Sequence, residues 1–204
     1  MIIRPEEEKD YFEVENLARS AFWNLYRPGC FEHYVIHKFR DDKDFVRDLD
    51  FVIEDNGKIV AQIIYANTTI KADDGREIPI LTLGPVSVLP SEQKKGYGSA
   101  IINHTLDRAK SLGFGAVALM GSPDYYPRFG FHPASNYHIY YDDFPRNQSA
   151  PFFMIRELKE GYLKGVVGTY FDPAGYNVNQ KDVDEFDKNF PPMKKEKREG
   201  QIGG

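Results

Sequence analysis

Val86-Ser87-Val88-Leu89-Pro90-Ser91-Glu92-Gln93-Lys94-Lys95-Gly96-Tyr97-Gly98-Ser99 is the stretch that decides the fold of this 204-residue chain. Ile80-Leu81-Thr82-Leu83-Gly84-Pro85 runs into it as one apolar strand, which breaks at Pro90. Beyond it, Ala100, Ile101, Thr105, Leu106, Ala109 and Leu112 recur at helical spacing. A strand that restarts as a helix after two glycines leaves the first helical N–H groups without partners, at the positive end of the helix dipole. Such a terminus binds anions. Gly96 and Gly98 remove side chains where a phosphate approaches the backbone, and Lys94 and Lys95 add positive charge.

Spacing narrows the choice of anion. A P-loop closes on Gly-Lys-Ser/Thr, and no lysine follows Gly98. A dinucleotide fingerprint needs a third small residue, whereas Ile101 stands at that position. Gly113-Phe114-Gly115-Ala116-Val117-Ala118 fits GxGxxA only formally, because it leaves a helix and enters a strand. Gly84-Pro85 inside the strand marks a bulge or a separation from a neighbour, since proline donates nothing to a ladder. A separated strand has spare N–H and C=O groups that an amide-bearing ligand can satisfy.

The pattern Gln-x-x-Gly-x-Gly after Val-x-Val, at Val86–Val88 and Gln93–Gly98, resembles the acetyl-CoA pyrophosphate loop of the GNAT (GCN5-related) N-acetyltransferases. Tyr126-Pro127-Arg128-Phe129-Gly130-Phe131 is similar to the family's Tyr-x-x-x-Gly-Phe segment. The resemblance covers roughly Ile2 to Leu158. It implies an α/β fold: a mixed, mostly antiparallel central sheet, splayed at the cofactor slot and flanked by helices. It also implies acetyl-CoA as co-substrate, without a metal, and direct transfer of the acetyl group to a primary amine in a ternary complex.

The resemblance places Val86, Ser87, Val88, Gln93, Lys94, Lys95, Gly96, Tyr97, Gly98 and Ser99 against the cofactor. Backbone N–H groups near Val86 and Val88 would polarise the thioester carbonyl. Tyr126 would protonate the departing CoA thiolate, with Tyr125 as the alternative if the register slips by one. A phenol of pKa about 10 can supply a thiolate whose parent thiol titrates at about 8.5. Ser122, after the short strand Ala116–Met120, is a cofactor contact or a simple turn residue. The implied acceptor is a small-molecule or peptide amine. A non-catalytic acyl-CoA-binding or sensing module on the same fold is the alternative function.

Composition agrees with a globular protein: 41% hydrophobic and 14% aromatic residues suffice for a core. No apolar run approaches the roughly 20 residues of a membrane span, and Met1-Ile2-Ile3-Arg4-Pro5-Glu6 lacks a signal-peptide layout. These features point to the cytoplasm and to no membrane partner. One cysteine, Cys30, forms no internal disulfide or thiolate zinc cluster. A net charge of −5 argues against a nucleic-acid partner. A homodimer is left open.

Along the chain, Ile2–Arg4 predicts a strand, and Tyr11, Val14, Leu17, Ala18 and Phe22 predict a helix to about Trp23. A second helix is expected from Phe31 to Leu49. Asp55-Asn56-Gly57 is a hairpin signal between Phe51–Glu54 and Lys58–Tyr65. Strands are expected over Ile78–Leu89, Tyr137–Tyr141, Phe152–Arg156 and within Gly161–Phe171. The reading divides the chain into a domain over 1–171 and an extension over 172–204. That extension would dock a helix through Val183, Phe186 and Phe190 and end in a mobile charged tail from Lys194. The general base is not assigned. Glu32, His33, His37, Asp142 and Asp143 border the acceptor side if the resemblance holds, and each also has a structural reading. His104, His132 and Cys30 read as surface, positional and turn residues.

Overall fold

The structure, a computed structural model, describes residues 1–142 and 144–201. The chain forms two compact units, Met1–Ile64 with Pro85–Ile101 and the chain from Ala174, and Tyr65–Gly84 with Ile102–Pro173. Three long elements run through both: strand β3 (Lys58–Ala72), strand β4 (Glu77–Val88) and helix α3 (Tyr97–Ser111). On β4 the division falls at Gly84-Pro85.

In the first unit, β1 (Ile2–Pro5), β2 (Phe51–Asp55) and β3 pair antiparallel, with Ile3 opposite Ile53 and Val52 opposite Gln62. Asn56 at φ 52° and Gly57 at φ 75° make the tight turn, as the Asp-Asn-Gly signal predicts. Helix α1 (Tyr11–Phe22) buries Val14, Leu17 and Ala18, and α2 (Glu32–Phe39) buries Val35, Ile36 and Phe39. The helix expected to reach Leu49 stops at Phe39. The acidic run after it has no apolar face, and the Asp42 carboxylate accepts a 2.8 Å hydrogen bond from Asp44 N, which competes with helical bonding. Only a single 3₁₀ turn, Arg47–Leu49, returns before β2.

A buried charge network holds α1 and α2 to the start of β2. The Arg40 guanidinium forks onto Glu6, with Nε–Oε2 at 3.0 Å and Nη2–Oε1 at 2.7 Å. Its other arm donates to Glu15, and the plane lies 3.8 Å over the Tyr11 ring. Asp50, also buried beside Glu6, has its carboxyl pushed up to about 9, first by burial and then by the Glu6 charge. The folded state therefore keeps a proton that the unfolded chain releases near pH 4. Stability from this group is complete below that pH and is lost as pH rises toward 9. Asp50→Asn keeps a donor facing Glu6 without needing that proton. The variant is expected to melt higher than the unaltered protein at about pH 8, by roughly 2–4 °C per kcal/mol gained, with no gain near pH 4. Melting curves across pH check this.

Helix α4 (Gln180–Asp187) begins at Asn179, whose side chain accepts from Asp182 N at 2.9 Å. Phe186 and Phe190 pack on His33, 5.6 Å away in each case. Asp187 takes the 2.6 Å hydrogen bond of Arg19 Nε, and Arg19 is only 1% exposed. Removing one partner of such a pair strands a buried charge, so Asp187→Ala is expected to cost about 3–5 kcal/mol in denaturant unfolding. The stretch from Lys194, expected to be a mobile tail, bonds to Asn24. Asn24 Nδ2 donates to Lys194 O (2.9 Å), Glu196 N donates to Asn24 Oδ1 (3.0 Å), and Gln201 Nε2 donates to Asn24 O (2.9 Å).

In the second unit, β3 runs on to Ala72 through the β-branched run Thr68–Ile70, well past the Tyr65 expected. It turns back into β4 at Asp73-Asp74-Gly75, with Ala72 N donating to Arg76 O at 2.8 Å. β4 pairs in parallel with β5 (Ala116–Met120), with Leu81 opposite Val117 and Thr82 opposite Ala118. β8 (Phe153–Glu157) continues the order antiparallel and carries the two-residue β6 (His132–Pro133). β9 (Gly168–Tyr170) lies antiparallel to β3 and parallel to β7 (Ile139–Tyr141). The expected strand over Tyr137–Tyr141 loses its start to a 3₁₀ turn at Ala134–Tyr137. Ile80, Ala118, Ile139, Phe153, Ile155 and Tyr170 form the core, and Tyr170 Oη reaches Thr82 Oγ1 at 2.9 Å. The fold is mixed α/β, with a mostly antiparallel open sheet flanked by helices. No described helix is long and apolar enough to cross a membrane.

Candidate functional site

The end of β4 is hydrogen-bonded to β3 along one edge. Leu89 N donates to Val60 O of β3 at 2.9 Å. Backbone N–H and C=O groups alternate sides along a strand, so residues 85, 87 and 89 face β3, and Val86 and Val88 face away from it. Burial alternates in step: Pro85 and Ser87 are buried, while Val86 and Val88 are half-buried. The parallel register with β5 ends at Thr82, two residues before Gly84-Pro85. Val86 and Val88 therefore present their backbone groups on the edge away from β3.

The chain then makes one 3₁₀ turn, Pro90–Glu92, and enters the loop. Lys94 at φ 64° and Gly96 at φ 93° take left-handed conformations, which glycine adopts without strain. A Cβ on Gly96 would meet nothing within 4 Å, so backbone conformation, not packing, requires glycine there. Helix α3 starts at Tyr97, its first bond running from Ala100 N to Gly96 O at 2.9 Å. The N–H groups before Ala100 are those the helix leaves to an outside acceptor.

Several side chains of this segment are occupied with building it. Gln93 Nε2 donates to Val88 O (3.3 Å), Lys95 Nζ to Glu92 (2.8 Å), and Tyr97 Oη to Asp55 (2.6 Å) in the β2–β3 turn. Ser87 Oγ accepts from Gln62 Nε2 at 2.7 Å. Lys94 and Lys95 are exposed, as are Gln93 and Gly96. Val86, Ser87, Val88 and Gln93–Ser99 thus lie on one strand–loop–helix segment, several of whose side chains are engaged in building it. Gln62 is the residue that sequence reading missed. Its signal was a lone amide within the apolar run Ile59–Ile64.

In the second unit, Tyr126 begins a 3₁₀ turn (Tyr126–Phe129) closed by Gly130 at φ 78°. Its ring stands edge-on to Tyr125 (5.1 Å) and to Phe131 (6.0 Å). A Cβ on Gly121 would lie 2.3 Å from Tyr126 Cε2, so that glycine makes room for the ring. Gly121→Ala is expected to displace Tyr126 and, on the reading of Tyr126 as the proton donor, to lower turnover at least about tenfold. Steady-state kinetics check it. Ser122 serves the turn before Tyr126. Its Oγ accepts from Asp124 N (3.3 Å), and its carbonyl accepts from Tyr125 N and Tyr126 N.

The other titratable candidates divide by environment. Glu32 Oε2 accepts from Phe31 N at 2.9 Å, and burial raises its carboxyl above the ordinary range. His37 Nδ1 lies 3.0 Å from Glu15. Cys30 Sγ sits 3.3 Å from His33 Nδ1, and His33 Nε2 sits 3.4 Å from Asp187, the spatial order of a nucleophile, base and acid. Its chemistry points the other way. Burial pushes the Cys30 thiol up and lowers His33 to about 4, so neutral pH yields neither thiolate nor imidazolium. His104 and His132 are exposed, and Asp143 lies outside the described residues.

A family model of the GNAT acetyltransferase domain matches residues 2–134. The chain belongs to the GNAT acetyltransferase family. Among curated relatives, the uncharacterized N-acetyltransferase YhbS of Escherichia coli K12 is 25% identical over 168 residues, covering 82% of this chain and 93% of that protein. The crystal structure of Escherichia coli YhbS in complex with CoA superposes with a TM-score of 0.73 at 21% identity, over 87% of this chain and 92% of that one. A GNAT acetyltransferase from Brucella melitensis in complex with acetyl-CoA gives a TM-score of 0.67 at 25% identity, over 86% and 97% of the two chains.

Proposed function

We propose that the protein moves an acetyl group from acetyl-CoA to a primary amine by direct transfer in a ternary complex, in the cytoplasm. The supporting observation is the run from β4 into α3. Val86 and Val88 have backbone groups on the edge away from β3, and left-handed turns at Lys94 and Gly96 lead into a helix N-terminus. These residues fit a ligand with amides followed by a pyrophosphate. The solved relatives that hold CoA and acetyl-CoA support the same donor.

Acetyl-CoA supplies an activated thioester. The chain's own groups then have three tasks. Val86 and Val88 N–H polarise the thioester carbonyl, where donors fixed in advance need no reorganisation as charge develops. The first turn of α3, with Lys94 and Lys95, holds the pyrophosphate. Tyr126 Oη gives its proton to the sulfur as the C–S bond breaks. In this reading the chemistry belongs to residues 1–171, and the chain from 172 stiffens α1 and α2 through Asp187 and Asn24.

Release of free thiol from acetyl-CoA, followed across a panel of small amines and peptide N-termini, tests the proposal. Turnover on at least one amine is expected. Tight CoA binding with no turnover on any amine would instead assign an acyl-CoA-sensing role.

A further inference from the structure

Gln62 lies mid-strand in β3 among Ile59, Val60, Ala61, Ile63 and Ile64, and is 1% exposed. A primary amide in such a place costs stability unless its hydrogen bonds are made. Its Nε2 donates to Pro85 O at 3.1 Å and to Ser87 Oγ at 2.7 Å. A carbonyl only accepts, so the nitrogen must face Pro85 and the orientation of the amide is determined. The cost is visible on the other atom: Gln62 Oε1 is buried and has no hydrogen-bond partner among the described residues. An apolar residue of similar volume would leave the Pro85 carbonyl and the Ser87 hydroxyl without these donors.

What the amide achieves lies on β4. Pro85 faces β3 and brings no N–H to the ladder. The Gln62 side chain takes the Pro85 carbonyl and grips Ser87, the next residue on the same edge. The Pro85 carbonyl shares its peptide plane with the Val86 N–H, so holding that carbonyl sets the tilt of the Val86 N–H on the opposite edge, and the bond to Ser87 Oγ anchors the residue before Val88.

We propose that Gln62 is a positioning residue, which acts through Pro85 and Ser87 to aim the Val86 and Val88 N–H groups at the thioester carbonyl. The inference rests on the acetyl-CoA reading above and adds to it the residue that sets the polarising geometry. It needs no acceptor to be tested, because the carbonyl itself reports the geometry. Bound acetyl-CoA labelled with ¹³C at the carbonyl is to be observed by difference infrared spectroscopy, with CoA affinity and melting temperature measured alongside.

The unaltered protein is expected to lower the carbonyl stretch relative to free acetyl-CoA. Gln62→Met, which keeps the volume and removes both donors, is expected to return most of that shift while CoA affinity stays within about threefold. Turnover on any accepted amine falls about tenfold, a fraction of what losing a whole oxyanion donor costs. Gln62→Glu restores one donor only when its carboxyl is protonated, so its carbonyl shift is expected to reappear as pH falls. A merely structural role would lower melting temperature and affinity together and leave the Gln62→Glu spectrum independent of pH. That result, or an unchanged shift in Gln62→Met, overturns the proposal and leaves the acetyl-CoA reading standing. Failure of the unaltered protein to bind CoA overturns both.

Discussion

Tyr126→Phe is expected to lower kcat by about 10²- to 10³-fold and to leave CoA affinity within about threefold. The substitution removes one oxygen and keeps the ring. The packing that seats the ring, edge-on to Phe131 and over the space left by Gly121, stays intact. What is lost, under the proposed mechanism, is the proton donor for the sulfur. A phenol of pKa about 10 and a thiol of about 8.5 differ by about 2 kcal/mol in proton affinity, small enough for transfer as the C–S bond lengthens. Without the donor the thiolate departs unprotonated. A fall in kcat alone therefore identifies the acid, whereas a parallel loss of affinity would mean that the ring only lines the cofactor path. Unchanged turnover would remove the assignment.

Gly96→Asp and Gly98→Asp are expected to weaken CoA binding at least about 100-fold by calorimetry. Two penalties combine at Gly96. Its φ of 93° is strained for any side chain, and a carboxylate at a helix N-terminus repels the pyrophosphate that the same dipole would attract. Gly96→Asn separates them. Asparagine matches aspartate in shape and in its tolerance of left-handed backbone but carries no charge, so it is expected to retain much more affinity than aspartate. Equal losses would attribute the effect to the backbone alone, and no loss would exclude this loop as the phosphate site.

Much of this was legible in the sequence, for identifiable reasons. The Asp55-Asn56-Gly57 turn, the α1 face and the strand–loop–helix at Val86–Ser99 are local patterns, each written in contiguous residues. β4 runs unbroken through Gly84-Pro85, and its pairing with β5 ends at Thr82, close to the proline whose missing donor is a property of one residue. The second helix is shorter than the apolar spacing of Phe45 and Leu49 predicts: it ends at Phe39, and beyond it the Asp42 carboxylate accepts from Asp44 N in a local turn. Gln62 was missed because its meaning depends on a partner 23 residues away, the carbonyl of Pro85. Arg19 with Asp187, and Cys30 with His33, were hidden likewise: only the fold tells which charges are buried together.

In the proposed complex, acetyl-CoA lies along the edge of β4 away from β3, with its pyrophosphate on the first turn of α3. A crystal structure of the protein grown with acetyl-CoA tests this most directly. The expected result places pantetheine amides against the Val86 and Val88 backbone and the pyrophosphate within hydrogen-bond reach of the amides at 96–99. An acetyl-CoA ordered elsewhere on the protein, with the β4 edge and the Gln93–Ser99 loop uncontacted, would contradict it.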